Sequence, residues 1–203
     1  MAKVAEPRRR LAPEVRRAQL IAVAEDVFVQ HGYQGTAIED IAAAAGVTRT
    51  LVYKYFADKD EIYLECLRAA RDELDRAIVA AAGGEVEIGA QLRAGFTAYY
   101  AFVRDRGTTW GVLFGGGAAV AGKVAASAAE HRYQTAEVIA GLVRAAAPHV
   151  AEDAASAYAH AISGAAEQLA KWWRRHPDVE LEAMVERTMD TLWTGLRTIA
   201  QEG

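Results

Sequence analysis

Over the seven positions from Thr48 to Lys54, the chain carries three hydroxyls (Thr48, Thr50, Tyr53) and two cations (Arg49, Lys54). Wound as a helix of about two turns, this segment turns Val52 and Phe56 inward and leaves Thr48, Arg49, Thr50, Tyr53 and Lys54 outward. An outer face of hydroxyls and cations suits phosphate oxygens and base edges, and a purely structural helix has no need of it. No competing chemistry is visible. The sequence has no Ser/His/Asp pattern, nucleophile elbow, cofactor fingerprint or Cys/His cluster with metal spacing. His131, His149 and His160 are scattered along alanine-rich stretches, and the single Cys66 reads as a half-buried packing residue. The expectation is a binding protein, not an enzyme, with no cofactor and no metal.

Around this segment the apolar spacing is helical throughout, and no period-2 run of useful length competes with it. The expected fold is all-α with about nine helices. The first begins near Pro13, places Leu20, Ile21, Ala24, Val27 and Phe28 on one face, and stops at Gly32. Thr36 with Glu39 reads as a capping box opening a short second helix that ends at Gly46. Thr48 caps the third helix, and Asp58 with Glu61 forms a second box opening a long fourth helix up to Gly83-Gly84. Two short helices joined through Gly46-Val47, with Ala42 and Ala45 small enough for a close crossing, make a helix-turn-helix.

Beyond Gly84 the periodicity predicts a fifth helix from Ile88 to Val103 and a short Trp110 to Phe114 segment before a break at Gly115 to Gly117. Further helices follow over about 118–147, 152–176 and 181–201. The expected domains are residues 1–60, with 1–12 as a flexible basic arm, and residues 61–203. The charge distribution agrees with this division. The net charge is −4, yet residues 1–20 are net +4 and residues 61–203 net −5, as suits contact with phosphate at one end only. Arg8, Arg9 and Arg10 read equally well as a minor-groove arm and as a solvated tail. No apolar stretch is long enough for a membrane span, so no membrane partner is expected and the protein reads as cytoplasmic.

The run from Arg17 to Phe28, then Gly32-Tyr33, Thr36, Ile41-Ala42, Ala45-Gly46-Val47-Thr48, Val52 to Phe56 and Lys59-Asp60-Glu61 resembles the signature of TetR/AcrR transcriptional regulators. The resemblance covers residues 14–65 almost continuously. It implies that Arg49, Thr50, Tyr53 and Lys54 meet the major groove, that Thr48, Tyr55 and Lys59 hold phosphates, and that Thr36 contacts the backbone. The residues themselves leave Tyr55 open between packing and phosphate contact. The resemblance further implies a repressor bound as a homodimer to a pseudo-palindromic double-stranded operator and released by a small-molecule effector.

For the larger domain, Tyr99, Phe102, Trp110, Phe114, Tyr133, Tyr158 and Glu167 are the candidates to line a site for an apolar or aromatic effector. For each aromatic, core packing is the favoured reading. The last two helices carry more apolar surface than one globule needs, and their candidate dimer residues are Ala161, Ala165, Gln168, Met189, Leu192, Trp193 and Leu196. Paired with a second copy they would form an isologous four-helix bundle.

Overall fold

Residues 11–113 and 123–201 are described by the computed structural model, with side chains for 11–111 and 134–197. The described residues fall into two units that part between Cys66 and Leu67.

In the first unit, α1 (Pro13–His31), α2 (Ile38–Ala44), α3 (Arg49–Tyr53) and the start of α4 (Lys59–Ala82) surround one core. Pro13 occupies the first turn of α1, where its missing N–H costs no hydrogen bond. The helix stops at Gly32, whose φ of 70° and ψ of 168° suit a residue without a Cβ. Leu20, Ala24, Phe28, Ile41, Val52 and Ile62 are completely buried. Phe28 and Tyr33 both meet the Tyr63 ring edge-on, at 5.2 and 4.9 Å between centroids. Cys66 is fully buried, deeper than the half-buried position its sequence context suggested, and burial pushes its thiol far above the usual range.

Two of the three expected caps form. The Leu51 N–H donates to Thr48 Oγ1 at 3.3 Å, and the Glu61 N–H to Asp58 Oδ1 at 2.8 Å. The third is displaced by one residue. Ala37, not Thr36, is the N-cap of α2, and its N–H donates to Asp40 Oδ2 at 2.8 Å. Thr36 is buried and donates its hydroxyl to the Gly32 carbonyl at 2.7 Å, so the α1 terminus claims the group expected to cap α2.

In the second unit, α4 is followed by α5 (Ile88–Asp105), α6 (Gly107–Leu113), α7 (Lys123–Ala146), α8 (Glu152–Trp173) and α9 (Leu181–Gln201). α5 packs on α9, and α7 on α8. The α5–α9 contact is pinned at a buried Tyr100–Thr188 hydrogen bond of 2.8 Å and at a two-pronged Arg93–Glu186 ion pair. A Cβ at Gly89 would come within 2.9 Å of the Trp193 ring, so a residue of this size is required where α9 crosses α5. α8 ends three residues before the expected His176. Arg175 and His176 donate to the carbonyls three residues back, tightening the last turn ahead of Pro177. Among the described residues there is no strand, and no helix is long and apolar enough to cross a membrane.

Candidate nucleic-acid interface and interior cavity

α3 owes its position to three local features. Gly46 takes a φ of 64°, which lets the chain reverse between α2 and α3 at little steric cost. The Val47 N–H closes that turn on the Ala42 carbonyl at 3.0 Å. Val52 and Phe56, 0% and 2% exposed, then anchor one side of the segment in the core.

The opposite side is open. Thr48, Arg49, Thr50, Tyr53 and Lys54 are all exposed, and Tyr53 remains 44% accessible despite its large ring. Thr48 accepts the capping bond through a lone pair, so its O–H proton is still available to an acceptor. Tyr55 is half-buried.

Two expected contact residues lie elsewhere than on this face. Thr36 is turned inward as described. Lys59 is half-buried, and its Nζ donates to the Tyr33 and Thr36 carbonyls at 2.9 Å each while lying 4.4 Å from the Tyr33 ring centroid. It fastens the α1–α2 connection to the first turn of α4. The same connection is held by a hydrogen bond from the Tyr33 hydroxyl to Asp60, and burial together with that carboxylate pushes the phenol well above its ordinary range. Arg8, Arg9 and Arg10 lie outside the described residues.

The second unit holds a half-open cavity of about 120 Å³. Its walls are Leu74 and Ile78 of α4, Leu92 and Phe96 of α5, Trp110 of α6, Ile139, Leu142 and Val143 of α7, and Ile162 of α8. A polar strip crosses this apolar lining. Arg71 Nη1 donates to Thr135 Oγ1, which donates in turn to Asp75 Oδ1 at 2.8 Å. Burial raises the Asp75 carboxyl above its usual range, with Thr135 and Arg71 opposing the rise. Glu167 also faces the cavity and pairs with Lys171 one turn along α8 at 2.7 Å. Tyr99 lies on the wall too, its phenol pushed far up by burial.

Of the effector-site candidates, the fold brings Tyr99, Trp110 and Glu167 to this cavity. Phe102 and Tyr158 do not line it: Phe102 is buried in packing, and Tyr158 is half-buried elsewhere on α8. Phe114 and the Tyr133 side chain lie outside the described residues. Arg71, Thr135 and Ser163 also line the cavity, beyond the candidates the sequence offers. The signal for Arg71 and Asp75 was a charged pair at i,i+4 within the apolar stripe of α4.

On the surface, Ala157, Ala161, Gly164, Gln168 and Trp172 of α8 form one exposed stripe, with Ala165 half-buried beside them. Leu192, Trp193 and Leu196 are half-buried on α9. Met189 is only 7% exposed, because its side of α9 is the one turned into the chain's own core along with Val185. Met189 therefore shows little surface to a second copy.

A crossed pair of short helices with a cationic outer face, followed by a separate helical unit around a cavity, defines the class of DNA-binding helix-turn-helix transcription regulators. Residues 20–66 match the family described as bacterial regulatory proteins, tetR family, and residues 88–195 match the tetracyclin repressor-like C-terminal domain. The chain belongs to the TetR family.

It is 25% identical over 187 residues to the HTH-type transcriptional activator FasR of Mycolicibacterium smegmatis, spanning 92% of this chain and 85% of that one. The HTH-type transcriptional regulator TtgR of Pseudomonas putida is 42% identical over 64 residues, 30% of each chain. A tetR-family regulator structure from Streptomyces coelicolor superposes with a TM-score of 0.72 at 27% identity, over 95% of this chain and 85% of that one. The structure of FadR from Bacillus subtilis in complex with stearoyl-CoA shares the fold, with a TM-score of 0.72 at 14% identity over 86% of this chain and 96% of that one.

Proposed function

We propose that this regulator is a repressor that binds a pseudo-palindromic operator as a homodimer and lets go when a small apolar effector enters the cavity of the second unit. The observation that carries the reading is the pairing of an exposed cationic helix face in one unit with a largely apolar, polar-striped cavity in the other. An apolar cavity lined on five helices forfeits packing contacts, a loss that a ligand of matching shape would restore.

The exposed small-residue stripe on α8, which would permit close approach of a second copy, supports the dimer. A two-fold axis would set the two α3 helices about 34–36 Å apart, or a multiple of one DNA turn, which is what calls for a palindromic site. Repression is the simpler of the two directions, since bound protein blocks polymerase without further contacts; FasR is named an activator, and operator position relative to a promoter can decide the sign. Long-chain acyl thioesters, the class of ligand bound in the Bacillus subtilis FadR structure, belong among the effectors to be tried. The cavity at about 120 Å³ is small for them and would have to open.

The effector acts by population shift: bound in the cavity, it favours an arrangement of the dimer in which the two α3 helices no longer match successive grooves. A preference of about 1–3 kcal/mol for that arrangement lowers DNA affinity by about 5- to 150-fold. The test begins by selecting the operator from random duplexes with the purified full chain, then titrates that duplex with apolar and aromatic acids, alcohols and acyl thioesters. The expected result is a dimer whose DNA affinity falls in that range for one ligand class. A strictly monomeric particle, or a saturating cavity ligand that leaves DNA affinity unchanged, sinks the proposal.

A further inference from the structure

Arg49, one of the two outward cations of this face, is already held. Its Nη1 lies 2.6 Å from Oε1 of Glu39 on α2, its Cζ sits 5.3 Å from the Tyr53 ring centroid, and its Nη2 is 3.5 Å from the Tyr53 hydroxyl. Contacts from two helices thereby narrow the rotamers of one of the most conformationally free side chains. The Glu39 side chain is itself 57% exposed, next to the cationic face. A carboxylate there repels a polyanion and works against the phosphate attraction that supplies most non-specific affinity. Its gain must lie elsewhere, and the structure shows it paired with the Arg49 guanidinium.

We propose that Glu39 is a positioning residue for DNA specificity: it holds the Arg49 guanidinium against Tyr53 in one orientation, weakening general attraction to DNA while sharpening discrimination at the base pair Arg49 faces. The proposal rests on reading α3 as the groove helix. A guanidinium whose orientation is set beforehand loses less freedom on forming a two-pronged contact to guanine, whereas a loose one meets phosphates and wrong bases almost as well. Glu39 also sits in the first turn of α2, where the helix dipole favours a carboxylate. That role would affect thermal stability and leave base preference untouched.

The test compares the full chain with Glu39→Gln, Arg49→Ala and the double variant. Each is titrated against the selected operator, a panel of its single base-pair substitutions and a random duplex, and each is melted thermally. Glu39→Gln is expected to bind the random duplex about two- to fivefold more tightly, and to lose about two- to fivefold of discrimination at a single base pair, the scale of an exposed ion pair. That base pair is the one Arg49→Ala also relaxes, and in the Arg49→Ala background Glu39→Gln costs no further discrimination. Undiminished discrimination in Glu39→Gln, with Arg49→Ala still relaxing one base pair, overturns the positioning role and leaves the groove reading intact. A further loss of discrimination on adding Glu39→Gln to Arg49→Ala also overturns it. Arg49→Ala with unchanged operator binding overturns both. A lowered melting temperature for Glu39→Gln with intact base preference assigns the carboxylate to the α2 dipole and equally refutes the proposal.

Discussion

The two units place their chemistry on opposite sides of their surfaces. In the first, a small, fully buried core of Leu20, Phe28, Ile41, Val52 and Phe56 holds exposed reading groups in place. In the second, the polar groups of interest face inward. Arg71 and Thr135 are buried, and they stand against residues that also make the core, so packing and ligand recognition draw on the same side chains. Tolerance to substitution differs accordingly. The outer face of α3 can vary without unfolding the protein, whereas the cavity wall can vary only where volume is conserved.

The largest effect is expected at the wall. Phe96→Ala removes a ring that is 3% exposed beside an existing void, and should destabilise the chain by about 3–5 kcal/mol, seen as a lowered midpoint in thermal or urea melting. A loss below about 1 kcal/mol would show that the cavity is separable from the core and break the comparison. Next comes Arg49→Ala, which should weaken operator binding about tenfold or more while leaving the melting temperature within error, as anisotropy titration and a parallel melt would show. A matching fall in stability would place Arg49 in the fold instead of on the interface.

The smallest effect sharpens the contrast through pH. Burial raises the Asp75 carboxyl, so the folded chain keeps a proton where the unfolded chain has lost it. Stability therefore falls as pH rises from about 3.8, the unfolded value, through the folded one. Asp75→Asn keeps an oxygen for the Thr135 hydroxyl and should flatten that slope and slightly raise the melting temperature at neutral pH. A steeper slope in the variant would show that attraction to Arg71 outweighs burial. Above the acid range, Tyr100, pushed up to about 12 by burial, should stay protonated until the chain unfolds, and an absorbance titration follows this directly.

Legibility in the sequence followed the same division. The ends of α1 and α9, the caps at Thr48 and Asp58, and the outward set on α3 were all legible, because each depends on residues within four positions of one another. The Thr36 cap was misplaced for a reason of distance in the fold: the Gly32 carbonyl, left over at the end of α1, competes for the same hydroxyl. The family resemblance implies a phosphate contact for Lys59, and only the folded chain shows that two carbonyls of the α1–α2 connection also accept from its ammonium.

By itself, then, the sequence determined an all-helical chain, its helix-turn-helix and the residues that helix displays, since helical periodicity and capping are local and repeat along the chain. Tertiary structure alone decided which aromatics meet the cavity, that Arg71 and Thr135 join them, that Met189 is spent on the chain's own core, and that Glu39 of α2 reaches Arg49 of α3. Those outcomes depend on which faces of separate helices are turned toward each other, and that choice is made by the packing of all the helices together.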